Sequence, residues 1–113
     1  MKKITLLLCC LVIANTTAFA HPPSDIKIQF DDKTQTLTAE VIHRVSTPLT
    51  HYIYQVDIGL NGKEIKDLHF QKQVTNRAQL VTTTLSGVKK GDALSVEGYC
   101  NISGKFKKEI KVI

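Results

Sequence analysis

Tryptophan is absent from the 113 residues, and only six glycines and three prolines are present. The glycines are scattered and form none of the glycine-rich loops that bind phosphate groups. The sequence also has no G-x-S-x-G motif, which argues against the serine nucleophile of an α/β-hydrolase. Its length allows one domain and would truncate a doubly wound nucleotide-binding fold. Aromatic residues are 6% of the total, so the core must be built mostly from isoleucine, valine and leucine.

The N-terminus has the features of a secretory signal peptide. Lys2 and Lys3 form a positive start, residues 4–14 are almost wholly apolar, and Ala18-Phe19-Ala20 is a small-x-small cleavage site. The apolar stretch is shorter than a membrane-spanning helix requires. We therefore predict a signal peptide over 1–20 and a mature domain over 21–113. The mature protein is expected to be periplasmic or secreted, with no integral membrane segment after cleavage.

Signal cleavage changes the cysteine count and the charge. Cys9 and Cys10 leave with the signal, so Cys100 has no intramolecular disulfide partner. Loss of the two lysines lowers the formal net charge from +5 to +3. This charge is too small, and the basic residues too little mixed with aromatics, for a nucleic-acid-binding protein. No feature of the sequence sets an oligomeric state.

Hydrophobic alternation of period two recurs along the mature chain and predicts half-buried strands. It predicts that residues 37–45 form one strand and that Tyr52 and Tyr54 share a face with Val56. Asn61-Gly62 lies between two alternating runs, which is a strong signal for a tight β-hairpin. Seven short strands separated by turns predict an all-β, immunoglobulin-like sandwich of two sheets.

Four side chains are candidate metal ligands: His21, His43, His51 and Cys100. Thiolate and imidazole together suit iron, copper or zinc rather than calcium or magnesium. His43 is in phase with Leu37, Ala39 and Val41, so it either packs in the core or rim or binds a metal. Cys100 can equally be a small buried hydrophobic residue. His51 starts a strand at a loop edge, where functional side chains gather.

His21 has a further property, because cleavage after Ala20 would make it the N-terminal residue. Its α-amine and imidazole could then chelate one metal ion together, since an α-amine has a pKa near 8. The alternative is that a histidine follows the cleavage site by chance. The sequence thus leaves open a copper-binding protein that uses His21.

Two segments resemble the superoxide reductases, also called the desulfoferrodoxin iron-binding domain. Thr47-Pro48-Leu49-Thr50-His51-Tyr52-Ile53 is similar to the His-Pro-Met…His-Tyr-Ile region of that family. Gly98-Tyr99-Cys100-Asn101-Ile102-Ser103-Gly104 is similar to its Tyr-Cys-Asn-x-His-Gly loop. The order of the two segments also agrees with the family.

The resemblance implies a mononuclear iron held by four histidines in a plane and one axial cysteine thiolate. His51 would be a planar ligand and Cys100 the axial one, while His43 and His21 stand near positions of further histidines. Members of that family have an immunoglobulin-like sandwich fold. They reduce superoxide with electrons from a donor protein. Thr47 and Ser103 replace two family histidines, so superoxide reductase activity is expected only if other residues complete the site.

Two other classes of function remain open in the sequence. One is a non-catalytic immunoglobulin-like periplasmic module that binds a protein or a small ligand, with Cys100 buried and inert. The other is the copper-binding protein that uses the mature N-terminal histidine. Iron is the cofactor that the resemblance implies, and copper or zinc are the alternatives.

Overall fold

The computed structural model of the protein describes residues 21–113, so the predicted signal peptide, with Cys9 and Cys10, lies outside the described residues. Within this range the chain forms seven strands. They are β1 (Asp25–Asp31), β2 (Thr36–Ile42), β3 (Ile53–Leu60), β4 (Lys63–His69), β5 (Ala78–Thr84), β6 (Ala93–Cys100) and β7 (Lys105–Lys111). No helix in residues 21–113 has the length and apolar character to cross a membrane.

The strands form two antiparallel sheets, which confirms the predicted all-β sandwich. One sheet has the order β1-β2-β5, and the other has the order β4-β3-β6-β7. β4 pairs with β3, whereas the fourth strand of a constant-type immunoglobulin domain lies in the sheet of the first two strands. The short β3–β4 turn explains this placement, because a two-residue hairpin keeps its two strands adjacent.

The predicted hairpin at Asn61-Gly62 is confirmed. Leu60 pairs with Lys63, and the two turn residues have φ angles of 52° and 87°. Positive φ at both central positions is the type I′ geometry that matches the twist of the flanking strands. The Asn61 side chain also joins this turn to the start of β6, because its Oδ1 accepts a hydrogen bond of 2.8 Å from the Ala93 amide.

The core lies between the sheets and is aliphatic, as the composition predicted. Its fully buried members come from four strands: Ile26, Leu37, Ala39, Val41, Ile53, Val56, Ile58, Leu94 and Val96. Burial of one such valine, leucine or isoleucine side chain contributes about 1.5–3 kcal/mol. Gly98 allows a close approach here, because a Cβ on it would lie 2.9 Å from a methyl group of Val41.

The prediction that Tyr52 and Tyr54 share a face with Val56 was wrong at the start of β3. Ile53 is fully buried, while Tyr54 is 38% exposed. The cause is an irregularity in the pairing with β6, where Ile53 opposes Cys100 but Gln55 opposes Tyr99. The extra residue, Tyr54, shifts the side-chain alternation by one position. Tyr52 and Tyr54 therefore do not share the buried face of Val56.

The second predicted strand was too long. β2 ends at Ile42, and His43 and Val45 continue outside the ladder. Their amides still donate hydrogen bonds, to the carbonyls of Arg77 and Asn76 respectively. The alternation of buried and exposed side chains therefore continues for a few residues beyond β2, and His43 is fully buried. Its position just beyond the strand end places it at one end of the sandwich.

Candidate metal centre

Three of the four histidines meet at one end of the sandwich. The ring centroids are 4.8 Å apart for His21 and His43, 4.8 Å for His43 and His51, and 5.2 Å for His21 and His51. Each histidine has one ring nitrogen within 4.8 Å of a ring nitrogen of both other histidines, so the three could bind a single metal ion. We call these three residues the histidine cluster.

Strand pairing explains why residues 22 apart in sequence become neighbours. The Ser24 amide donates a 2.9 Å hydrogen bond to the carbonyl of Ile42, so the N-terminal segment runs beside the end of β2. His21 therefore lies next to His43. Pro22 and Pro23 restrict the backbone between His21 and β1, and Pro23 is fully buried.

His51 is placed by a turn and by a side-chain clamp. The amides of Thr50 and His51 both donate to the carbonyl of Thr47 at 3.0 Å, which turns the chain towards β3. Asn101 holds both sides of His51. Its Oδ1 accepts a 2.8 Å hydrogen bond from the Tyr52 amide, and its Nδ2 donates to the Thr50 carbonyl at 3.0 Å.

His43 has an oxygen atom beside each of its ring nitrogens. Nδ1 lies 2.9 Å from Oε1 of Gln73, and Nε2 lies 3.1 Å from the carbonyl oxygen of His21. A neutral imidazole carries one N–H, so it can donate to only one of these acceptors. The other nitrogen then has its lone pair directed at an oxygen, and a cation bound beside both atoms would reduce their repulsion.

Both ring nitrogens of His21 also lie beside oxygen atoms, whereas one ring nitrogen of His51 has no polar neighbour to pair with. The ring nitrogens of His21 lie 3.1 Å from the Pro22 carbonyl oxygen and 3.0 Å from that of Arg44. Nε2 of His51 is buried and has no hydrogen-bond partner. A buried polar atom without a partner costs about 1–3 kcal/mol. The cluster thus has excess acceptors and an unpaired buried nitrogen, an environment that fits a bound metal ion.

Burial also favours the neutral imidazoles that metals require. Desolvation lowers the pKa of His43 below the usual 6.5, although its hydrogen bonds with Gln73 and His21 act in the opposite direction. Desolvation, followed by the charges of His43 and His21, lowers the pKa of His51. A lower pKa means that fewer protons compete with a metal ion near neutral pH.

Cys100, the fourth predicted ligand, lies outside the histidine cluster. It is buried, with 4% of its surface exposed, and Sγ accepts a 3.4 Å hydrogen bond from the Ile102 amide. Cys100 nevertheless lies at the same end of the domain, because it pairs with Ile53 and the next residue clamps the His51 loop. Thr47 and Ser103, which the resemblance places at positions of histidines, are exposed.

An open groove of about 850 Å³ is lined in part by Cys100. Tyr99 and Tyr54 line it with ring centroids 6.1 Å apart, and the Lys105 ammonium lies 5.7 Å from the Tyr99 ring. The Tyr99 hydroxyl donates to Glu97, and burial with the adjacent carboxylates raises the Tyr99 pKa. His69 also lines the groove and is exposed.

Sequence reasoning missed Gln73. This residue lies in the β4–β5 loop, is 3% exposed, and contacts the ring of His43. Glutamine is common in loops and has no motif here, so the sequence carries no signal for its contact.

Comparisons with known proteins add no assignment to this geometry. No protein-family model, curated protein or solved structure matches the chain.

Proposed function

We propose that this chain is an exported transition-metal-binding protein whose metal ligands are His21, His43 and His51. The observation that carries the proposal is the buried Nε2 of His51, which has no hydrogen-bond partner and lies among two other imidazoles. A metal ion would supply the missing partner and relieve the contact between His43 Nε2 and the His21 carbonyl.

The donor set favours late divalent metals. Imidazole nitrogens bind zinc, copper, iron and nickel, and affinity at a nitrogen site rises towards copper(II). No thiolate belongs to the cluster, so the soft axial donor that the superoxide reductase resemblance implies is not part of this ligand set. We therefore expect copper(II) to bind most tightly, followed by zinc(II), with iron(II) weaker.

The α-amine of His21 is a fourth donor if the mature chain begins at this residue. The backbone of His21 borders the centre, because its carbonyl oxygen is 3.1 Å from Nε2 of His43. An amine and the imidazole of the same residue can chelate one ion. Three imidazoles and one amine would provide the four ligands that tetrahedral zinc or tetragonal copper accepts.

The test uses protein purified without a histidine tag from cells that express the full chain, with the N-terminus determined by mass spectrometry. Metal content and calorimetric titration with copper(II) and zinc(II) should show one bound ion per chain. His51→Leu should abolish this binding, while His69→Leu should retain it because His69 lies on an exposed face. Equal metal binding by both variants would disprove the proposal.

Superoxide reduction is the second candidate function. It is supported by the position of Cys100, which pairs with Ile53 at the same end of the domain as His51. Reduction of superoxide to hydrogen peroxide takes one electron and two protons, so it needs an electron donor protein. The iron-loaded protein should then consume superoxide and show a thiolate-to-iron absorption band that Cys100→Ser removes. Absence of both signals would leave metal binding as the sole activity of the site.

A further inference from the structure

We propose that Gln73 is the positioning residue of the histidine cluster: its carboxamide holds the proton of neutral His43 on Nδ1 and so directs the Nε2 lone pair to the metal. The inference rests on the proposed function for the metal, but the proton position is a property of the metal-free protein. It assigns a role to a loop glutamine that contacts no metal itself.

The orientation of the Gln73 carboxamide is set by its other partners. Nε2 donates to the carbonyl oxygens of His43 at 2.7 Å and Thr75 at 3.0 Å. Oε1 accepts a hydrogen bond of 3.2 Å from the Ile53 amide. Rotating the group by 180° would place its NH₂ against an N–H and its oxygen against two carbonyl oxygens. The oxygen of Gln73 therefore faces His43.

This orientation decides the tautomer of His43. The Gln73 oxygen and the His21 carbonyl oxygen can both only accept, and neutral His43 has a single N–H. Nδ1 lies 2.9 Å from the Gln73 oxygen and Nε2 lies 3.1 Å from the His21 oxygen, so the shorter contact assigns the proton to Nδ1. The Nε2–H form predominates in free neutral histidine, and Gln73 reverses that preference. Nε2 then carries a lone pair, which a metal needs. An outer hydrogen bond of this kind is the usual support for a ligating histidine.

Gln73 also couples His43 to the segment that carries His51. Its own amide donates a 3.2 Å hydrogen bond to the Pro48 carbonyl, and its side chain accepts from the Ile53 amide. These contacts lie three residues before and two residues after His51. Gln73 is 3% exposed, so its side-chain bonds to His43 and to the Ile53 amide are both made away from solvent.

Nuclear magnetic resonance of the metal-free protein tests the tautomer directly. Two-bond correlations between ring nitrogens and ring protons, recorded above pH 7, should show His43 with its proton on Nδ1. Addition of zinc(II) should shift the Nε2 resonance of His43 while Nδ1 remains protonated. A neutral His43 with its proton on Nε2 would overturn the proposal, whether or not the protein binds a metal.

Matched glutamine variants test the consequence for binding. Gln73→Met should weaken zinc(II) affinity about 10- to 100-fold, which is the usual cost of losing such an outer partner. Gln79→Met is the control, because Gln79 is also buried and bonded to Val74 and Leu80 but contacts no histidine. Equal affinities for the two methionine variants would contradict the inference.

The two readouts separate this inference from the proposed function. Failure of the wild-type protein to bind copper(II) or zinc(II) would disprove the metal site. The tautomer of His43 would still show whether Gln73 acts as stated. If a variant does not fold, the measurement on the wild-type protein decides the question.

Discussion

Two groups of side chains in residues 21–113 bring potential metal ligands close together, and the groups differ in burial and in hydrogen bonding. The histidine cluster and an acidic cluster of Asp57, Glu64 and Asp67 both have ligand atoms within 4.8 Å of one another. In the histidine cluster, His43 is fully buried and His51 has an unpaired buried nitrogen. In the acidic cluster, Glu64 and Asp67 are exposed on the β3–β4 hairpin.

The acidic cluster satisfies its carboxylates without a metal. Asp57 accepts a 2.8 Å hydrogen bond from the Gln55 side chain, Asp67 lies 3.4 Å from the His69 ring, and water reaches the exposed oxygens. In the histidine cluster, His21 and His43 each have two facing oxygens and, when neutral, only one N–H, and Nε2 of His51 has no partner. Proximity of ligand atoms is therefore a weak criterion, and unmet hydrogen bonding in a buried place is a stronger one.

The largest expected effect comes from removing ligands from each group in turn. His43→Asn combined with His51→Leu should reduce copper(II) affinity by more than about 100-fold, beyond the loss caused by an outer partner. Glu64→Gln combined with Asp67→Asn should leave the affinity unchanged. Calorimetric titration of both double variants measures the difference. A greater loss in the acidic variant would reverse the comparison.

Gly98→Ala should disturb the histidine end through packing alone. The new methyl group would meet Val41 at 2.9 Å and Pro23 at 3.6 Å, and these residues lie two positions from His43 and His21. Overpacking of this kind costs about 1–3 kcal/mol. We expect a lower free energy of unfolding and weaker metal binding.

Gly59→Ala is the matched control for that substitution. Its methyl group would meet the Ser95 hydroxyl, and Gly59 pairs with Glu64 near the acidic cluster. Metal affinity should therefore stay at the wild-type value in Gly59→Ala. Chemical denaturation and calorimetry on both variants provide the comparison, and equal losses of metal affinity would show that the histidine end is not specifically sensitive.

An added N-terminal residue should have a smaller effect. Protein that carries Ala20 before His21 has a peptide nitrogen where the mature chain would have an amine. Zinc(II) affinity should fall by at least about tenfold if the amine is a ligand, because a neutral peptide nitrogen does not bind zinc(II) and loss of an outer partner alone costs about 10- to 100-fold. Titration of the two forms, each verified by mass spectrometry, measures this. Identical affinities would limit the centre to three imidazoles.

The smallest expected effect is on the stability of the metal-free protein in mild acid. His43 and His51 have pKa values lowered from 6.5 by burial, so below that pH the unfolded chain binds protons that the native state does not. Stability should be constant above pH 6.5 and decline as the pH falls, until the folded-state pKa values are reached. Urea denaturation across this range should show the decline, and His51→Leu should reduce its slope. A stability that rises on acidification would contradict the burial argument.

Local patterns predicted most of the fold. Alternation predicted most of the strands, and Asn61-Gly62 predicted the hairpin that joins β3 to β4, because both signals depend on residues close together in sequence. The errors arose where pairing between strands, rather than the local sequence, sets the position of a side chain or the end of a strand. The pairing of β3 with β6 shifted Tyr54 to the exposed face, and β2 ended before His43 although the inward phase continued.

The sequence predicted which residues are candidate ligands, and only the resemblance implied how they would be arranged around a metal. His21, His43, His51 and Cys100 were selected by residue type, phase and resemblance, and three of them form the cluster. Cys100 lies at the same end but outside the cluster, and its role as an axial ligand stays a prediction. Gln73 had no signal, because its function depends on a contact with a residue 30 positions away.

The sequence by itself determined the number of strands, the aliphatic core and the tight turn, since period-two alternation and a pair of positive φ angles are local properties of the chain. Only the tertiary structure decided which histidines meet. That outcome depends on the stacking of two sheets and on loops that converge from residues 21, 43, 51 and 73. Burial at that convergence leaves Nε2 of His51 without a hydrogen-bond partner, which is the observation that carries the proposed metal site.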